Sequence, residues 1–142
     1  MFSIDHLHPM LVHFPIALIM VGFLFDLVSL LIKKEACLSF AGFWLLIIGT
    51  LATIVTFFSG VFFTPDMAGT AGMVKNIHAT FAVITMLLLI INSLLRIYLK
   101  RSNRENSPMK WLSFAIYALA ALMVGITGFY GGNLVYNYMM PL

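Results

Sequence analysis

The residues best suited to chemistry in this chain are four histidines, His6, His8, His13 and His78, which fall toward one end of the apolar segments that carry them. A neutral imidazole is costly in lipid unless something uses it. His13 follows Pro9 by four residues, so it lies about 6 Å inside a helix that starts there. His78 has a similar depth if its helix begins near Val74. Two imidazoles at equal depth on helices of the same direction have the geometry of bis-histidine haem ligation, where axial ligands and their hydrogen bonds set the potential. The same rings also have a structural reading, each bonded to a backbone carbonyl or a water near the interface.

Further ligands lie toward the same end. His6 and His8 extend the set, with Asp5 and Asp66 beside them. A cluster of imidazoles and carboxylates suits Zn²⁺, Fe or Cu. Met1, Met10, Met67, Met73, Met139 and Met140 fall there too. Thioethers suit copper(I), although methionine is equally an apolar filler. His8 precedes Pro9, which biases it toward an extended or capping conformation rather than mid-helix. Asn133, just after Gly131 and Gly132, is placed to hydrogen-bond a cofactor or a ligating imidazole.

The elements that position these residues follow from composition. Of 142 residues, 62% are hydrophobic and 9% charged, and the mean hydropathy is +1.04. A soluble domain carries roughly a quarter charged residues. Apolar runs over residues 10–32, 38–63, 77–99 and 111–135 each reach the about 20 residues needed to cross the hydrocarbon core. The sequence therefore predicts an all-α, integral membrane four-helix bundle, one domain over residues 1–142 with no room for a soluble catalytic domain. The first run lacks a basic leader and a small-x-small cleavage site before Lys33, so it reads as a retained helix. The single cysteine, Cys37, excludes an intrachain disulfide and a CxxC site.

Charge placement predicts orientation. Lys33, Lys34, Arg96, Lys100, Arg101, Arg104 and Lys110 gather at one side, and Lys75 alone lies at the other. The positive-inside rule then places both termini, the irregular loop 64–76 and the histidines on the outer, periplasmic side of a bacterial inner membrane. Membrane lipid is the implied surroundings, and the net charge of +3 is spent on orientation rather than on nucleic acid. The third loop, KRSNRENSPMK, reads as a solvated basic connection.

Asp26 is the oddity of the inner half, about 10 Å from the predicted inner edge. A lone carboxylate there must be protonated or paired, and Arg96 is its natural partner, with Asn92 one turn earlier as a further donor. A structural Asp26–Arg96 clasp is preferred to a proton relay. Gly49, Thr53, Thr56 and Gly60, and Ala118, Ala121, Gly125, Gly128 and Gly132, form stripes of small residues. Such stripes let helices approach closely, and also make room for a flat cofactor. A faint duplication aligns His13 with His78, Ala17 with Ala82, Ile19 with Ile84 and Leu24 with Leu89. Both halves would run in parallel about an axis along the membrane normal, with His13 and His78 as symmetry mates. Tyr130, Tyr136 and Tyr138 read as an interfacial belt.

The stretch His8-Pro9-Met10-Leu11-Val12-His13-Phe14-Pro15, followed by Asp26, His78 and the close Gly131-Gly132-Asn133-Leu134-Val135-Tyr136, resembles a family of small four-helix bacterial membrane proteins catalogued as a domain of unknown function. The resemblance implies the same topology and a shared site at the outer face. Where the family often carries glutamate, this chain has Asn133. Some relatives are associated with redox modules, which implies haem by analogy.

No GxSxG, HExxH or phosphate-binding loop occurs, which argues against hydrolytic chemistry and leaves enzymatic activity open. The leading expectation is a b-type cytochrome-like protein with His13 and His78 as axial ligands. It would pass electrons between membrane quinol, or a partner cytochrome, and a periplasmic acceptor, as a homodimer or within a larger complex. The alternatives are a Cu, Zn or Fe binding or transport protein using His6, His8, His13, His78 and Asp66, and a structural or assembly subunit.

Overall fold

A computed structural model describes residues 7–32, 36–105 and 107–138. Its helices are α1 (Leu7–Leu11), α2 (His13–Leu31), α3 (Ala36–Phe63), α4 (Gly69–Arg101) and α5 (Met109–Asn137). α1 and α2 form one apolar span, and with α3, α4 and α5 they make four helices long and apolar enough to cross a membrane. Side chains such as Val55, Phe62, Ile91, Leu94 and Phe129 face outward. In hydrocarbon that arrangement is stable, because a helix satisfies its own backbone groups. α2 packs chiefly on α3 and α4 on α5, and α3–α4 and α2–α5 contacts close the ring.

The break between α1 and α2 has a local cause. Pro15 has no N–H to give the carbonyl of Leu11 four residues back. The Thr56 hydroxyl of α3 lies 3.5 Å from that carbonyl and donates to it instead. His8 is helical, contrary to the bias expected of a residue before proline. Pro9 sits in a first turn, where free N–H groups make proline tolerable, and the His8 ring is tied to α3.

The second departure is at α4, which starts at Gly69, so the irregular connection is only residues 64–68. Gly69 takes a φ of 64°, which glycine adopts without steric cost. His78 therefore lies nine residues beyond the helix start, about 14 Å along the axis rather than a single turn. At the other end, Asn103 adopts a φ of 53°. The N–H of Arg104 bonds to the Leu99 carbonyl at 2.9 Å and that of Asn103 to Lys100 at 3.3 Å. This paired closure is the usual satisfaction of the last helical carbonyls.

The two hairpins, α2–α3 and α4–α5, repeat one another. An offset of 70 carries His8 onto His78, Pro15 onto Thr85, Ile19 onto Leu89, Gly22 onto Asn92 and Asp26 onto Arg96. An offset of 71 carries Gly42 onto Ser113, Leu46 onto Tyr117, Gly49 onto Ala120, Thr50 onto Ala121, Thr56 onto Thr127 and Gly60 onto Gly131. Buried positions coincide along both registers, from Pro15, Ile19 and Gly22 with Thr85, Leu89 and Asn92 to Gly42 and Leu46 with Ser113 and Tyr117. The register that aligns His13 with His78 is thus replaced by one that makes His8 the counterpart of His78. Apolar helices match at many offsets, and only burial selects among them.

Ile19, Leu89, Leu46 and Tyr117, all fully buried, form the centre of the apolar core. The hairpins close differently. A Cβ at Gly22 would lie 2.9 Å from that of Leu45 and press on the Tyr117 hydroxyl, and one at Gly42 would lie 3.2 Å from the Gly22 carbonyl. Their counterparts Asn92 and Ser113 instead share a hydrogen bond of 2.7 Å. Around Gly125, by contrast, there is open space. Gly22→Ala is therefore expected to destabilise the bundle by about 1–3 kcal/mol through overpacking, while Gly125→Ala leaves it unchanged or slightly more stable. Thermal unfolding in detergent checks this: equal midpoints for the two variants would contradict the packing described.

Candidate functional site

The two hairpins splay apart at the end that holds the α1 turn, the α3–α4 connection and the end of α5. Between them lies a cavity of about 490 Å³, walled mainly by apolar side chains such as Val12, Ile16, Phe57 and Val135. That volume is in the range of cofactor and small-molecule sites. Its floor meets the core at Val124, beside the hydroxyls of Thr85 and Thr127, 3.4 Å apart.

His8 and His78 enter this cavity from opposite hairpins. Their ring centres are 6.3 Å apart and their planes cross at 81°. The Nδ1 of His8 lies 3.1 Å from the Thr56 carbonyl and 2.9 Å from the Ser59 hydroxyl. The Ser59 hydroxyl is also 2.7 Å from that carbonyl, so ring, hydroxyl and carbonyl form one local cluster. The Nδ1 of His78 lies 2.9 Å from the Thr127 carbonyl. A carbonyl only accepts, so in each neutral ring Nδ1 carries the proton and Nε2 keeps its lone pair. No hydrogen bond among the described residues uses either Nε2.

The anchors are themselves equivalent: Thr56 and Gly60 on α3 match Thr127 and Gly131 on α5. In each hairpin the carbonyl of a threonine holds the ring, and a glycine four residues later clears space for it. A Cβ at Gly60 would lie 2.8 Å from Cε1 of His8, and one at Gly131 would lie 3.1 Å from Cε1 of His78. Two neutral, oriented imidazoles with free Nε2 atoms in an apolar chamber are suited to ligate one metal centre between them.

The other sequence candidates fall elsewhere. His13 borders the cavity but is exposed, and the ring packed against His78 is that of His8. The one-turn α1 and the turn at Val12 place His8, not His13, over the equivalent position. Asp66 is fully exposed, with its carboxylate 3.2 Å from the Lys75 ammonium. Asn133 accepts from the Asn137 amide and does not border the cavity, so the partner of His78 is the Thr127 carbonyl. His6 lies outside the described residues. Among the described residues no group of three His, Cys, Asp or Glu side chains is placed to hold a metal ion. Thr56, Ser59 and Thr127 were not singled out as anchors, because a backbone carbonyl leaves no mark on residue type. The shared Thr-x-x-x-Gly spacing of α3 and α5 was the available signal.

At the opposite end Arg96 makes two hydrogen bonds to the buried Asp26 carboxylate, one of them 3.2 Å from Nη2 to Oδ1. The pair borders a polar cavity of about 180 Å³ shared with Ser29, Glu105, Lys110 and Ser113. Removing one partner from a buried ion pair strands the other charge, whereas removing both is far better tolerated. Arg96→Leu should therefore cost about 3–5 kcal/mol of stability, and adding Asp26→Leu should recover most of it. Thermal unfolding of the two variants tests the clasp, and a double variant no more stable than the single one would count against it.

Fold and composition define a multi-pass membrane protein with four transmembrane helices. The chain belongs to the family described as predicted membrane protein (DUF2231), whose family model matches residues 5–141. No curated protein and no solved structure matches it.

Proposed function

We propose that this protein binds haem b through His8 and His78 and transfers electrons at the end of the bundle where the cavity lies. The observation that carries the reading is the pairing of two oriented imidazoles 6.3 Å apart, centre to centre, in the cavity between the hairpins. Where haem is bound, His8 and His78 would hold its iron through Nε2, and the unbonded Nε2 atoms and apolar chamber fit that donor set. The chain then contributes two neutral nitrogen ligands, each made more basic by its bond to a backbone carbonyl. The apolar walls exclude water, and together with the ligands they set the potential of the bound group.

By the charge asymmetry of the loops, the cavity opens to the periplasmic side of a bacterial inner membrane. Lipid-soluble quinol is the natural donor to a site embedded at that depth, and a periplasmic cytochrome the natural acceptor.

The test is a visible spectrum of protein purified from cells with ample haem supply, oxidised and dithionite-reduced, with metal analysis of the same sample. A Soret band with a sharp reduced α-band is expected. His8→Ala and His78→Ala should each abolish the low-spin spectrum, while His13→Ala should keep it. Loss in His13→Ala with retention in His8→Ala would overturn the ligand assignment. Absence of any porphyrin absorption would sink the haem reading, and bound copper, zinc or iron in its place would favour the ion-binding alternative.

A further inference from the structure

Lys75 stands three residues before His78 on α4, about 4.5 Å nearer the open end of the cavity and on the same helical face. Among the described residues it is the basic side chain at this end of the bundle, and it borders the cavity that His8 and His78 enter. Its ammonium donates to the Pro65 carbonyl at 2.8 Å and to the Asp66 carboxylate at 3.2 Å. An ammonium has three N–H donors, so one remains. The Pro65 bond holds the side chain against the α3–α4 connection. The Asp66 carboxylate is fully exposed to solvent, so that ion pair is easily exchanged for another.

The cavity is thus apolar along its walls, nitrogen-bearing in its depth and cationic on one side of its mouth. We infer that Lys75 recognises an acidic group on the ligand, so that the site selects a carboxylate-bearing tetrapyrrole and seats it with its acid edge outward. This inference rests on the haem reading above and goes beyond it by assigning the orientation and the recognition of the propionate edge. A charge-assisted hydrogen bond at a partly buried position is among the stronger single contacts available. Thr64 and Tyr136, which also border the cavity, are uncharged, and the exposed imidazole of His13 lines it too.

The experiment titrates detergent-solubilised apoprotein with haem b and with haem b dimethyl ester, whose two carboxylates are blocked, following the Soret band. The wild-type protein is expected to bind the free acid about tenfold more tightly than the ester. In Lys75→Ala the free acid should fall to the affinity of the ester, and ester binding should be unchanged, which also shows that the variant is folded. Lys75→Arg should retain the preference. Equal affinity for acid and ester in the wild type, or a preference that survives Lys75→Ala, overturns the role of Lys75 while the bis-imidazole spectrum stands. Failure of the wild type to bind either compound overturns both this inference and the haem reading.

Discussion

Asp26 and Arg96 join the two helical hairpins at the end opposite the cavity, and much of the architecture follows from that buried pair. A charge in this position is tolerated only when matched, so the pair fixes how α2 and α4 face one another. Lipid offers helices no hydrophobic reason to associate, and specificity must come from close packing and a few polar ties. The others are equally localised: Thr50 with Ser93 at 2.8 Å between α3 and α4, and Asn92 with Ser113 at 2.7 Å between α4 and α5. With these ties in the middle and at one end, the other end of the bundle is free to part around a cavity.

The internal repeat explains why that cavity is lined as it is. Residues at matching registers meet between the hairpins: Asp26 with Arg96 at one end, Ile19, Leu89, Leu46 and Tyr117 in the middle, and His8 with His78 at the other. Each half supplies one imidazole, one threonine carbonyl to orient it and one glycine to make room. The halves differ where like charges would meet. Two acids or two bases facing each other there would repel, and the pair is instead opposite in sign. The mouth is also uneven, because Lys75 places a cation on the α4 side.

Membrane class and number of spans were legible in the sequence, because hydropathy is a local property. Which imidazoles face each other across the cavity was not. His13 has the more regular helical setting in sequence, and His8, preceding proline, looks excluded from a helix. The side-chain and backbone acceptors on α3, more than 45 residues away in the chain, reverse that order of preference. The same long range hides the start of α4, where glycines at 69 and 72 look like loop but lie within a helix.

Four apolar runs of twenty residues or more admit few solutions other than four membrane spans, so that number, an acid within reach of a basic residue and imidazoles toward one end follow from residue order alone. Which imidazoles face each other, in what tautomer, and which carbonyls orient them are set by how the helices pack. Those choices depend on the offset between hairpins, and apolar sequences match at many offsets. Burial against the neighbouring helices selects one.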